Sequence, residues 1–173
     1  PITMVWIVGV TNAVNLIDGL DGLAVGVSSI ASVALLSLTL VSQNLNAAIV
    51  TAALAGAGFG FLPYNFNPAK IFMGDTGSTF LGFVLACISV QGIMKMYAVI
   101  SFAVPVLILG LPIFDTLFAI IRRLLTGKPI MAPDRGHLHH RLLDMGFSQK
   151  QTVAILYTLT SLLCLTAVDC LGA

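Results

Sequence analysis

Apolar residues fall into long blocks along this chain, and polar residues gather in the short gaps between them. Leu23–Val41 contains no charged residue, and comparable blocks cover 47–62, 78–94, 97–121 and 152–168. A membrane-spanning helix needs about 20 mostly apolar residues, so each block predicts one crossing. The second and third are short, and their ends are expected to lean on polar neighbours. Residues 1–10, PITMVWIVGV, are too few to span and predict the tail of a further helix. The expectation is an all-α, polytopic integral membrane protein, a single membrane domain with five transmembrane helices plus a partial N-terminal one. Pro105, Gly110 and Pro112 predict a kink in the fourth crossing. The spacings Gly56/Gly60 and Ser78/Gly82/Ala86 predict close helix packing rather than chemistry.

Composition agrees with that pattern. The 173 residues are 58% hydrophobic and only 9% charged, whereas a soluble domain carries roughly 25% charged residues. All seven acidic residues are Asp, and a net charge of +1 leaves no basic stripe for nucleic acid. Cys87, Cys164 and Cys170 lie scattered in apolar surroundings and read as small buried hydrophobes, not a disulfide framework. No signal peptide is visible ahead of the apolar segments.

Charge also orients the chain. With 11–22 placed in the cytoplasm and sides alternating, Lys70, Arg122, Arg123, Lys128, Arg135, Arg141 and Lys150 fall inside and only Lys95 outside. The same choice brings Asp18, Asp21, Asp75, Asp134, Asp144 and all three histidines to the cytoplasmic boundary. A transporter or channel would set its ionisable groups at mid-membrane depth, so that class is disfavoured. A non-catalytic scaffold has no reason to keep such clusters. A boundary site suits a water-soluble substrate meeting a lipid one.

Three loops carry the candidate chemistry. In NAVNLIDGLDG, residues 12–22, Asn12, Asn15, Asp18 and Asp21 recur at every third position. On a regular helix of about 100° per residue this spacing drifts round the surface; an irregular turn at Gly19 and Gly22 can aim several at one spot. A helix cap explains one aspartate but not four polar groups. In NPAKIFMGDTGST, residues 67–79, Asp75 stands between Gly74 and Gly77. It can cap the next helix, or hold a hard cation that in turn holds phosphate oxygens. In APDRGHLHHRLLDMGFS, residues 132–148, His137, His139 and His140 are packed with Arg135 and Arg141. A zinc site is disfavoured, because no cysteine is near and adjacent histidines do not easily face one tetrahedral ion. Imidazoles and guanidiniums suit a diphosphate. A basic loop attracted to anionic headgroups explains the arginines better than the histidines.

The stretches NAVNLIDGLDGLA, FMGDTGS and HLHHRLL together closely resemble the polyprenyl-phosphate N-acetylhexosamine-1-phosphate transferases of glycosyltransferase family 4. The motifs occur in the family's order and the resemblance spans nearly the whole chain. It implies an Mg²⁺-dependent membrane enzyme, with Mn²⁺ as a possible substitute, that moves a sugar-1-phosphate from a UDP-sugar to polyprenyl (undecaprenyl) phosphate and releases UMP. The HLHHRLL form is more similar to the N-acetylglucosamine branch, which starts teichoic acid, lipopolysaccharide O-antigen and related glycans, than to the phospho-N-acetylmuramoyl-pentapeptide branch. The implied location is the bacterial plasma membrane with a cytoplasmic site, and a homodimer stays open.

Carried over by position, the resemblance makes Asp75 the metal ligand. Asn12, Asn15, Asp18 and Asp21 would line the nucleotide pocket, with Asp21 near the uracil edge, and Phe72 would stack on the base. His137, His139 and His140 would contact the diphosphate or sugar, supported by Arg135 and Arg141. The family's paired-aspartate motif on an earlier loop has no counterpart here, nor does its last helix. The expectation is therefore a C-terminal portion, inactive alone. Asp115, inside an apolar segment in LPIFDTLF, is as well explained by a structural hydrogen bond as by catalysis. The enzymatic reading requires Asp18, Asp21, Asp75 and His139 to converge in one pocket.

Overall fold

The computed structural model describes residues 1–93, 98–127, 129 and 136–172. Among these there is no strand, and the elements are α1 (Ile2–Leu16), α2 (Leu23–Val41), α3 (Leu45–Asn65), α4 (Gly74–Ile93), α5 (Ala98–Ile108), α6 (Gly110–Leu125), α7 (Leu138–Asp144) and α8 (Gln149–Gly172). Three of the described helices are long and apolar enough to cross a membrane, Leu23–Val41, Leu45–Asn65 and Gln149–Cys170. Lipid offers no hydrogen-bond partners, so a spanning segment must satisfy its own backbone as a helix. Hydroxyls follow the same rule: Ser29, Ser32 and Thr51 donate back to Val25, Ser28 and Ala47 one turn earlier.

The N-terminal segment is helical as expected, but its helix runs beyond the apolar 1–10 stretch to Leu16. It can run that far because Asn12 folds its amide back onto the Val8 carbonyl (2.7 Å) and Asn15 finds partners on α4. The kink expected in the fourth crossing is a break at Leu109 between two helices, α5 and α6. Pro105 lies near the end of α5, and Pro112 sits in the first turn of α6, where a missing N–H costs nothing.

α2 packs against α3, α4 and α8, while α1 packs against α4 and α6. One core runs through the bundle and includes Val14, Leu35, Leu85, Ile108 and Cys164. A second, smaller core of Ile17, Leu23, Val27, Leu111, Val153 and Leu156 lies where the 17–22 turn meets α7 and α8. Close packing uses different small residues from those the spacing singled out on α3. Gly58, not Gly56 or Gly60, meets α2, where an added methyl would come within 2.2 Å of the Ser29 hydroxyl. Gly56 and Gly60 lie two residues away on the opposite side and face open space. Cys164 is buried as expected, but Cys87 is only partly buried and Cys170, near the end of α8, is exposed.

Gly82 shows what the α1–α4 contact demands. A Cβ there would lie 2.8 Å from the Thr11 Cα and 3.0 Å from its carbonyl oxygen, both backbone atoms that cannot swing aside. Gly82→Ala is expected to cost about 1–3 kcal/mol by overpacking, read as a lowered Tm in detergent; an unchanged Tm would contradict this packing.

Candidate functional site

The site begins where α1 stops. Past Leu16 the chain turns with Asp18 N–H donating to Asn15 O (3.1 Å) and Gly19 N–H to Ile17 O (2.8 Å). It re-enters helix through Gly22, whose φ of +80° lies in the left-handed region that favours glycine. Gly22 is clasped from both sides: its N–H donates to Asn65 Oδ1 at 3.1 Å, and the Tyr157 hydroxyl of α8 donates to its carbonyl. Asn65 also donates to Ile71 O (2.9 Å), which fastens the loop leading to Asp75.

The two aspartates of this turn have different surroundings. Asp21 Oδ2 accepts from Asn67 Nδ2 (3.0 Å) and from the Ala69 N–H (3.1 Å), and Asn67 also donates to Gln149 Oε1 (2.7 Å). Among the described residues Asp18 has no comparable donor. Burial first, then the neighbouring carboxylates of Asp75 and Asp21, push it up from its ordinary 3.8 to about 6. Asp75 lies in the first turn of α4, after Gly74 at φ +65°. Its Oδ1 accepts from Asn15 Nδ2 at 3.3 Å, and the same amide donates to the Ser78 hydroxyl at 2.8 Å.

Asp18, Asp21 and Asp75 line one open cleft of about 310 Å³, together with Asn65, Phe72 and Gln149. Phe72 is 76% exposed, an aromatic face with no internal packing to explain it. Thus three of the four residues required to converge do so. His139 does not: it is absent from the cleft wall and only 3% exposed. It lies behind Gly19, where an added Cβ would approach its Nε2 to 2.5 Å, so only glycine lets the ring seat there. Nε2 is buried without a hydrogen-bond partner. Burial first, then His140, lower His139 to about 4 and keep it neutral.

The other histidines accompany it. His137 and His139 stack at 5.9 Å, and His140 lies 4.3 Å from His139. His137 Nδ1 lies 2.9 Å from Asp115 Oδ2, and Leu138 N–H donates to Asp115 Oδ1 at 2.8 Å. That second bond satisfies an orphan donor at the start of α7, a short helix the sequence did not announce. Arg141 does not reach the cleft. It lies over the Phe118 ring at 5.8 Å and borders an apolar groove of about 350 Å³ with Leu111, Phe114, Leu159 and Leu163. Asn12 is exposed on α1 and is not a wall of the cleft, because its amide is used within its own helix. Arg135 lies outside the described residues.

Sequence reasoning missed Asn65, Asn67 and Gln149. Their signal was a run of amides in YNFNP and a glutamine at a helix start, both of which read as ordinary turn and cap chemistry. No group of three or more potential ligands is arranged to hold a metal among the described residues. Two cleft carboxylates, Asp18 and Asp75, do match the way magnesium is held, by one or two carboxylates plus substrate phosphates.

Asp18 makes stability depend on pH when no divalent cation is present. Its folded-state pKa is raised, so its contribution is present below pH 3.8 and lost as pH rises through 6. His139 works the other way, because its lowered pKa penalises the fold as pH falls from 6.5 through 4. Comparing Asp18→Asn with wild type isolates the aspartate. From pH 4 to 7 the variant should gain about 1 kcal/mol relative to wild type, after solvent screening at this half-buried site. Unfolding curves in chelator check this, and a constant difference across the range would contradict it.

Residues 1–93 match the family model described as glycosyl transferase family 4. The chain is 47% identical over 173 residues to a Bacillus subtilis protein named probable undecaprenyl-phosphate N-acetylglucosaminyl 1-phosphate transferase, covering 97% of this chain and 47% of that protein. It is 39% identical to the decaprenyl-phosphate N-acetylglucosaminephosphotransferase of Mycobacterium tuberculosis H37Rv, over 90% of this chain and 43% of that one. A phospho-N-acetylmuramoyl-pentapeptide-transferase of Clostridium beijerinckii is also 39% identical, over 95% of this chain and 49% of that one. The chain spans about half the length of the curated relatives it matches. The match to its N-terminal half, the apolar all-helical architecture and the gathered motif residues together place this chain in glycosyl transferase family 4.

Proposed function

We propose that the intact protein transfers N-acetylglucosamine-1-phosphate from a UDP-sugar to a polyprenyl phosphate, releasing UMP, at the cytoplasmic face of a bacterial plasma membrane. The observation that carries this reading is the convergence of Asp18, Asp21 and Asp75 in one cleft beside the exposed ring of Phe72. Two of the relatives are named for a polyprenyl phosphate and N-acetylglucosamine, the Bacillus protein as a probable transferase. The distribution of basic residues along the sequence, seven of eight in segments on one side of the alternating crossings, supports the cytoplasmic orientation.

In this reading the nucleotide lies in the cleft, with Phe72 as a stacking face and Asp21 as an acceptor whose orientation Asn67 and Ala69 fix. An oxygen of the lipid phosphate attacks the β-phosphorus of the donor. The bond from that phosphorus to the oxygen bridging the α-phosphate breaks, and UMP leaves with the electron pair. Asp75, held by Asn15, and Asp18 would hold the magnesium, which neutralises charge on the diphosphate. The protein's own share would be alignment and charge compensation at the membrane boundary, where the lipid headgroup lies. The apolar groove bordered by Arg141 lies beside α7 and suits a lipid chain with its phosphate at the rim.

The similar identity to the Clostridium relative keeps a UDP-N-acetylmuramoyl-pentapeptide donor as the second reading. Membranes containing the intact protein should therefore be assayed with undecaprenyl phosphate and each donor, with and without Mg²⁺. Transfer is expected from UDP-N-acetylglucosamine, dependent on the cation, and Asp75→Asn should lower it roughly 100-fold. Transfer from the pentapeptide donor alone would favour the second reading. Asp75→Asn matching wild type at low magnesium would contradict the metal assignment.

A further inference from the structure

We infer that Asp115 is a positioning residue that sets the tautomer and ring orientation of His137, which is buried behind the cleft and not part of its wall; this rests on the transferase reading above. Asp115 is 9% exposed, on α6, and a buried carboxylate is retained only when its oxygens are engaged. Both are engaged, and both by one segment. Oδ1 accepts from the Leu138 backbone N–H at 2.8 Å, and Oδ2 lies 2.9 Å from His137 Nδ1. An ionised carboxylate only accepts, so Nδ1 must carry a proton, and in the neutral ring Nε2 is then the acceptor. This arrangement, an imidazole whose second nitrogen is defined by a carboxylate behind it, fixes ring orientation and basicity together.

The backbone contact makes the arrangement rigid. Two turns further along α6, Arg122 Nη1 donates to Gly136 O at 3.1 Å. α6 thus grips the chain immediately before and immediately after His137. The parallel stack of His137 on His139, which is itself wedged behind Gly19, connects the same ring to the aspartate turn. His137 is therefore held from α6 on one side and from the cleft's rear wall on the other.

The test is a double-mutant cycle in the intact protein. Asn at 115 keeps an oxygen for Leu138 N–H, but its amide nitrogen donates to Nδ1 and forces the proton onto Nε2. Asp115→Asn is expected to lower kcat about 10- to 100-fold with KM for the UDP-sugar within about 2-fold. Asp115→Glu, which keeps the charge, should recover part of the loss. In a His137→Ala background, Asp115→Asn should cost less than about 2-fold, because the residue it positions is gone. Equal losses in both backgrounds, Glu no better than Asn, or an Asn variant that fails to fold while His137→Ala folds would assign Asp115 a purely structural role and overturn the inference. Absence of transfer by the wild type with either donor would instead defeat the transferase reading.

Discussion

Three carboxylates share one cleft at the end of a bundle that is otherwise almost devoid of charge, and their mutual repulsion is the constraint to which the surrounding structure answers. Left to themselves the side chains would turn outward to water. They are held in by amides, which can donate to a carboxylate without adding or removing charge: Asn15 to Asp75, and Asn67 to Asp21. Among the described residues Asp18 has no such donor, and burial first, then the repulsion of Asp75 and Asp21, raises its proton affinity. In the proposed reading such a site would take a cation together with an anionic substrate. Either one alone leaves charge uncompensated.

Fastening such a cluster requires apolar material directly beneath it. The small second core does this, since Ile17 and Leu23 flank the aspartate turn in sequence while Leu111, Val153 and Leu156 bring in α6 and α8. Leu138 and Met73, partly buried against the same core, come from the histidine helix and from the residue before Gly74. All three motif segments therefore rest on one patch of packing, and a change in that patch reaches each of them. The glycine at position 19 tightens the link by letting an imidazole press against the back of the turn.

Much of this was legible in the sequence because lipid enforces simple rules. Long uncharged blocks must be helices, so α2, α3 and α8 followed directly. The gathering of Asp18, Asp21 and Asp75 followed from motifs whose spacing has little purpose otherwise. What was not legible depended on side chains meeting across large sequence separations. Asn12 and Asn15 look equivalent in the repeat, yet three residues turn a helix by only about 300°, so one faces α4 and the other returns to its own backbone. His139 looks like a ligand until the partner that excludes it from the cleft, Gly19, is placed 120 positions away in the chain. Gln149 gave no sign, because its role exists only where α8 meets the 65–71 loop.

The central claim, that Asp18 and its neighbours form a cation site kept partly protonated while empty, is tested most directly by calorimetric Mg²⁺ titration of the intact protein. Runs in two buffers of different ionisation enthalpy count the protons released. Near pH 6 the account predicts release of about half a proton per cation bound, falling to none by pH 8 and absent in Asp18→Asn at either pH. No binding by the wild type, or the same proton release from Asp18→Asn, would contradict it.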